Sequence, residues 1–269
     1  MDYKIVFSDI DGTLLNKERE LSPETIKAIQ QFKEEIPFVL ISARMPSAMF
    51  HLQKQLGIEN RPIICYNGGY VLVDNEVISS TAIKVDTIKS IADFNQQTKV
   101  HLSLYHADEW HVPEHDYWAK REANNTKVTP SVTNINKVID SWNKKEVGAH
   151  KIMCMGEEND VEKMYNHLQE KYGDHLHLYR SKPTYIEIAN KNISKLTAIN
   201  HLLRNHFNLS LEESVAFGDN YNDVEMINGV GMGIAVGNAR DEVKKVANKI
   251  TDKSIDNGVA NSLHQLFNA

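Results

Sequence analysis

Two carboxylates, two residues apart, close the first apolar run of the chain. Ile5-Val6-Phe7 leads through Ser8 into Asp9-Ile10-Asp11-Gly12-Thr13. An apolar run that ends in a Gly-containing turn reads as a buried strand feeding a loop. In an open α/β sheet, the carboxyl end of such a strand is where ligands bind. Neighbouring acids can divide the work when their surroundings push their pKa values apart. One would act as nucleophile and the other as acid and base, with a metal ion between them and a phosphate. The same residues also suit a plain turn, since Asp-Gly is a common turn pair and an acid often caps a loop. Other strand ends must decide between the two.

Three further clusters follow in chain order: Ser42, Lys195, and Asp219 with Asn222 and Asp223. Acids and a lysine beside a small hydroxyl suit a Mg²⁺-phosphate site, because Mg²⁺ prefers hard oxygen ligands and keeps only one or two carboxylates. Each member also has a plainer explanation. Ser42 could simply end a strand. Lys195 lies near a helix start, where the dipole disfavours a cation. Asp223 fits a first helical turn, and Asp219 and Asn222 flank a turn. The joint pattern is far less expected by chance than any member alone.

These clusters need elements that bring strand ends together. Ser22-Pro23 reads as an N-cap followed by proline at the first helical position, with Ile26, Ile29 and Phe32 at helical spacing. Phe38–Ile41 is a strand, Ser47–Leu56 a helix stopped by Gly57, and Pro62–Tyr66 a strand turned by Asn67-Gly68-Gly69. Such βαβα alternation predicts a doubly wound, Rossmann-like parallel sheet with helices on both faces. From about residue 83 the pattern changes. A helix over Asp86–Thr98 leads to His101–Tyr105, whose alternation suits a half-exposed antiparallel strand. An irregular aromatic stretch, His106–Trp118, follows. Lys151–Met155 and Thr184–Ala189 read as strands around a helix at Val161–Tyr172. We therefore expect residues 83–186 to form an inserted α+β module and residues 1–82 and 187–269 to form the α/β core. In the second core segment, Ser194 caps a helix bearing Leu196, Ile199, Leu202 and Phe207. Val215–Phe217 and Gly233–Val236 are strands, with helices at Tyr221–Ile227, Asp241–Ala247 and Val259–Phe267.

Composition narrows the partners. Over 269 residues the chain is 41% hydrophobic and 25% charged, ordinary for a globular protein with a full core. A formal charge of −6 leaves no electrostatic footprint for nucleic acid or an anionic membrane. No apolar stretch approaches a membrane span. The N-terminus carries Asp2 and Lys4 and enters a strand directly, so it does not read as a signal peptide. Cys65 and Cys154 lie in apolar runs and read as buried thiols rather than a disulfide framework. The expectation is a cytoplasmic, soluble protein.

Taken together, the clusters resemble a known family. Asp9-Ile10-Asp11-Gly12-Thr13 with Leu14-Leu15, and Gly218-Asp219-Asn220-Tyr221-Asn222-Asp223, resemble motifs I and IV of the haloacid dehalogenase-like hydrolases. Ser42-Ala43-Arg44 resembles motif II and Ser194-Lys195 motif III. The insertion between motifs II and III resembles the cap of the Cof-type sugar-phosphate phosphatases, the type IIB caps. The resemblance implies a Mg²⁺-dependent phosphatase for small phosphate esters, with Asp9 as the nucleophile that forms an aspartyl-phosphate. Asp11 would protonate the leaving oxygen and then activate water. Asp9, the Asp11 carbonyl and Asp219 would hold Mg²⁺, with Asp223 supporting it. Ser42, the Ala43 amide, Lys195 and Asn222 would hold phosphoryl oxygens, and Arg44, Asn67 and Gly68 could face the leaving group. Ala43 stands where the family usually has glycine, and Leu196 follows the lysine where glycine is usual; neither change removes a catalytic group. A phosphomutase or phosphotransferase using the same aspartyl-phosphate is the alternative enzyme, and a non-catalytic phospho-ligand sensor the alternative class. The sensor would be marked by loss of Asp9 or Asp11, and both are present.

Other signals are weaker. Gly229-Val230-Gly231-Met232-Gly233 precedes a strand rather than following one, so it does not fit a dinucleotide loop. His106, His111 and His115 match no standard metal spacing. Tyr105, Trp110, Tyr117 and Trp118 could stack on a sugar but suit the core of a small module better.

Overall fold

The apolar run at the start of the chain is a strand, β1 (Ile5–Ser8), with every residue buried. The structure, a computed structural model, describes residues 3–59 and 61–267. It divides into unit 1, Met1–Ser79 with Ser194–Ala269, and unit 2, Ser80–Ile193. After β1 come α1 (Pro23–Phe32), β2 (Phe38–Ile41), α2 (Ser47–Leu56), β3 (Ile63–Cys65), β4 (Tyr70–Val73) and β5 (Glu76–Ser80). Unit 2 follows with α3 (Val85–Thr98), β6 (His101–His106), β7 (Glu109–Val112), α4 (Tyr117–Thr126), β8 (Ser131–Val132) and α5 (Ile135–Lys144). It ends with β9 (Lys151–Met155), α6 (Glu158–Tyr172), β10 (Leu176–Lys182) and β11 (Tyr185–Asn190). The chain returns through α7 (Lys195–Leu202), β12 (Ser214–Gly218), α8 (Val224–Gly229) and β13 (Met232–Ala235). The last elements are α9 (Asp241–Val246), β14 (Lys249–Ile250) and α10 (Gly258–Phe267).

Local chemistry sets the unit 1 helices. Ser22 accepts from the Thr25 amide ahead of Pro23, and Ser194 and Thr197 form a reciprocal capping box. Among the described residues the sheet runs β14-β13-β12-β1-β2-β3-β4-β5. It is parallel from β14 to β3 and turns antiparallel at β4. Strand order moves outward from the β12–β1 pair in both directions. Right-handed crossovers therefore put the two runs of helices on opposite faces: α1 packs with α2 and α10, and α8 with α7 and α9. The crevice at that reversal lies at the strands' carboxyl ends. Asp9, Ser42 and Asp219 are the residues that follow β1, β2 and β12.

In unit 2 the described strands run β10-β11-β9-β6-β7-β8, antiparallel except for β7 with β8. Leu102, Leu104, Ile152, Cys154, Ile186 and Ile188 pack with Trp142, Met164 and Leu168 from the helices. On alternate positions, and so on the other face, His101, Ser103, Tyr105, Lys151 and Met153 are also buried.

Several expectations change. The stretch 106–118, read as irregular, holds β7 and the start of α4. Its hairpin turns at Ala107 with φ 47°, where glycine or asparagine is the usual signal. The core sheet is mixed rather than wholly parallel, since β4 folds back on β3. The helix expected over Tyr221–Ile227 begins as a 3-10 turn, Tyr221–Asp223, before α8. The helix from Ser194 closes at Leu202, and Leu203–Phe207 continues as a wider π-type turn. The units divide after Ser79 and Ile193, rather than after residues 82 and 186; at the second boundary β11 runs on to Asn190 in unit 2's sheet. Tyr105 and Trp110 are buried and stacked at 5.4 Å, whereas Tyr117 is 66% exposed. Cys65 and Cys154 are free, buried thiols. Among the described residues no helix is long and apolar enough to cross a membrane.

Candidate active site

Lys195 is the hub of the strand-end cluster. Its side chain is wholly buried, which would be costly for an unpaired ammonium. Nζ donates to Asp9 Oδ1 at 2.5 Å and to Asp223 Oδ1 at 2.6 Å. Burial works against its charge, but Asp223 and Asp9 outweigh it and hold the Lys195 pKa above the ordinary value. The other oxygen of Asp223, Oδ2, accepts the amides of Asp219 and Asn220 at 2.9 Å each. One carboxylate therefore both braces the loop after β12 and grips the lysine. The Asp9 amide donates to the Phe217 carbonyl at 3.0 Å, tying the end of β1 to β12.

Asp219 completes this group. Thr13 Oγ1 donates to its Oδ1 at 3.0 Å. Gly12 lies against it with φ +88°, and a Cβ there would meet Asp219 Oδ2 at 2.5 Å. Only glycine fits that combination of left-handed backbone and close approach. One oxygen from each of Asp9, Asp219 and Asp223 falls within 4.8 Å of the others. Three carboxylates face one ammonium. Burial, with Asp223 and Asp219 adding to it, pushes the Asp9 pKa well above the carboxylate range despite Lys195. Burial and then Asp223 raise Asp219 to about 6. An all-oxygen donor set with surplus negative charge fits a hard divalent cation.

Asp11 belongs to a second network. Arg44 grips it with Nε to Oδ2 at 2.7 Å and Nη2 to Oδ1 at 2.8 Å, and Arg19 Nη1 adds a contact at 3.2 Å. Burial favours the neutral acid, but the Arg44 hydrogen bonds and charge, with Arg19, win and hold Asp11 below the ordinary carboxylate value. Arg44, considered from sequence as a leaving-group contact, is buried; it spends its fork on Asp11 and gives Nη1 to the Ala48 carbonyl at 3.1 Å.

A third set joins the remaining candidates. Ser42 is buried at the end of β2, and its Oγ accepts from the Arg44 amide at 3.3 Å. Ala43 is half-buried. The Asn67 amide donates to the Ser42 carbonyl at 2.9 Å, and Asn222 Nδ2 donates to Asn67 Oδ1 at 3.0 Å. Gly68 lies with φ +105° against the Ser194 carbonyl, which a Cβ would meet at 2.5 Å. Asn67 thus links the loops after β2 and β12, and Gly68 lets the chain pass the start of α7. Sequence reasoning gave no role to Thr13 or Arg19. Thr13 stood inside the first motif, whereas nothing in the spacing connects Arg19 to Asp11.

The haloacid dehalogenase-like hydrolase profile matches residues 6–263. A Haemophilus influenzae relative, named provisionally as a phosphatase, is 32% identical over 274 residues and 99% of each chain. The Bacillus subtilis 5-amino-6-(5-phospho-D-ribitylamino)uracil phosphatase YitU is 26% identical over 98% of this chain and 97% of its own. The crystal structure of a haloacid dehalogenase-like hydrolase from Bacteroides thetaiotaomicron superposes with TM-score 0.89 at 26% identity, over 99% of this chain and 100% of that one. With the family profile spanning residues 6–263 and the Haemophilus influenzae relative matched over nearly its full length, this protein belongs to the haloacid dehalogenase-like hydrolases and is a phosphatase of that family.

Proposed function

We propose that the chain is a Mg²⁺-dependent phosphatase for small phosphomonoesters of the sugar-phosphate kind, working through an aspartyl-phosphate on Asp9. The observation that carries this reading is the buried Lys195 bridging Asp9 and Asp223 beside Asp219. Lys195 holds Oδ1 of Asp9, so Oδ2 attacks phosphorus. The bond from phosphorus to the ester oxygen breaks, and Asp11 supplies the proton to the departing oxygen. In the second step Asp11 takes a proton from water, whose oxygen attacks phosphorus. The Asp9–phosphorus bond breaks, and phosphate leaves. A carboxylate nucleophile splits one difficult displacement into two easier ones.

Arg44 and Arg19 keep Asp11 ionised before substrate arrives. A phosphoryl dianion beside it acts in the opposite sense, because a like charge disfavours the ionised acid. Substrate binding and proton uptake by Asp11 are therefore coupled in this reading. Ser42, the Ala43 amide, Lys195 and Asn222 hold the phosphoryl oxygens. Asp9, Asp219 and the Asp11 carbonyl would hold Mg²⁺, and Asp223, already committed to Lys195 and two amides, would support it from behind. The ion would supply charge neutralisation on the phosphoryl group, the main requirement of phosphoryl transfer beyond positioning.

Unit 2 is the cap in this reading. The sugar-phosphate class is supported by the YitU name, whose phosphate sits on a ribityl chain. The test is phosphate release from a panel of sugar and polyol phosphates and an aryl phosphate, with Mg²⁺ and with EDTA, in ¹⁸O-water. Mg²⁺-dependent release with label in the free phosphate is expected. Transfer to a second sugar without labelled phosphate would replace hydrolysis with the phosphotransferase reading, and release unaffected by EDTA would remove the metal.

A further inference from the structure

The turn after β13 touches both loops that carry the acid cluster. Asn238 Nδ2 donates to the Gly12 carbonyl at 2.7 Å. Two residues on, the Arg240 amide donates to the Asp219 carbonyl at 2.8 Å. Asn238 is itself anchored, because its Oδ1 accepts the Ser254 amide at 2.8 Å. That contact fixes which end of the amide faces Gly12. Gly12 has the widest conformational freedom in its loop, and its φ of +88° brings it against the Asp219 carboxylate. A rotation of the Gly12–Thr13 peptide would press on Asp219 and shift Thr13 Oγ1, which donates to that same carboxylate.

We propose that Asn238 is a positioning residue for the reaction: by holding the Gly12 carbonyl it sets the spacing between the Asp9–Thr13 loop and Asp219. It touches neither substrate nor metal in this assignment. Its effect passes through the peptide between Gly12 and Thr13. The inference rests on the phosphatase reading for its catalytic consequence, but its structural claim concerns the cation-binding carboxylates and is measurable without turnover.

Two variants separate the contacts. Asn238→Ala removes both. Asn238→Asp keeps an oxygen for the Ser254 amide but turns an acceptor toward the Gly12 carbonyl. Mg²⁺ binding to the substrate-free protein is read by calorimetry, kcat and KM with an aryl phosphate, and folding by thermal unfolding. Both variants should bind Mg²⁺ about tenfold more weakly and lose about tenfold in kcat, as loss of an outer support does, with KM within twofold. The weakening in Asn238→Asp is the sharper result, because its added negative charge alone would favour a cation. Asn238→Asp binding Mg²⁺ as tightly as the unmodified protein would overturn the proposal, as would variants that change only the unfolding temperature. If the unmodified protein released no phosphate, the phosphatase reading would fail, while the calorimetry would still test Asn238.

Discussion

Unit 1 and unit 2 both bury polar side chains against a sheet, and they satisfy them differently. In unit 1, Lys195, Asp9, Asp223 and Asp219 converge from the ends of separate elements onto one point. In unit 2, His101 is answered by Asp116 at 2.9 Å and Ser103 at 3.1 Å. His150 is answered by Ser80 and the Ala107 amide, each at 2.9 Å, and Lys151 sits 4.4 Å over the Tyr105 ring. Those arrangements give each buried group its own local partner rather than gathering carboxylates on one point. Buried polarity alone therefore does not mark chemistry. What marks it is surplus charge of one sign, held in place at the crevice of a parallel sheet.

The strongest way to break this contrast is Asp9→Asn. It removes the proposed nucleophile while keeping shape and a hydrogen-bonding oxygen for Lys195. Turnover should fall by about 10⁴-fold or more with the unfolding transition intact; near-normal phosphate release would end the aspartyl-phosphate mechanism. Next is Lys195→Met, which keeps the stem's volume but strands two buried carboxylates. Denaturant unfolding in EDTA should show a loss of about 3–5 kcal/mol, together with lost turnover. A loss within 1 kcal/mol or so would mean that the acids find other partners, contrary to the convergence seen here. Trp142→Ala probes the other region. Trp142 is buried in the unit 2 core, with Nε1 donating to Glu109 Oε2 at 3.3 Å. Its removal should cost about 3–5 kcal/mol of stability and leave calorimetric Mg²⁺ binding unchanged. Weakened Mg²⁺ binding would show that the two units are energetically coupled at the proposed metal site.

The same contrast explains what could be read in advance. The strand ends of unit 1 were legible because β1, β2 and β12 are buried on both faces and write continuous apolar runs. Each run stops at a candidate site residue: Asp9, Ser42 and Asp219. Ser22-Pro23 and Gly57 punctuated the helices by ordinary capping chemistry. Unit 2 was harder. Its hairpin turns through Ala107 in the left-handed region, without glycine or asparagine to announce it. Its edge strands β8 and β10 carry mixed sequences that alternation alone does not pick out. Within the site, residue types were legible, but pairing was not. Nothing in the spacing joins Arg44 to Asp11, or Asn238 to Gly12 across 226 positions. Those contacts exist because parallel topology brings successive loops to one edge.

The smallest expected effect is a pH dependence from unit 2, where His150 is buried between hydrogen-bond partners. His150 Nδ1 accepts the Ala107 amide, so its proton sits on Nε2 and points to Ser80 Oγ. His106 stacks on it at 5.0 Å. Burial, and then the His106 charge, push His150 down to about 3 from an ordinary 6.5. Above pH 6.5 the ring is neutral both folded and unfolded, and no linkage arises. Below it the unfolded chain takes a proton that the folded protein refuses, so stability falls as pH drops from 6.5 toward 3. At pH 5 the loss attributable to His150 is about 2 kcal/mol. His101, also lowered by burial, acts in the same direction, so the measurement must be a difference. Unfolding free energies at pH 7.5 and pH 5, for the unmodified protein and for His150→Gln, isolate the one residue. The unmodified protein should lose about 2 kcal/mol more than the variant between those pH values. Parallel losses would mean that His150 takes up its proton in the folded state, and that the locally satisfied histidine is not locked in its neutral form.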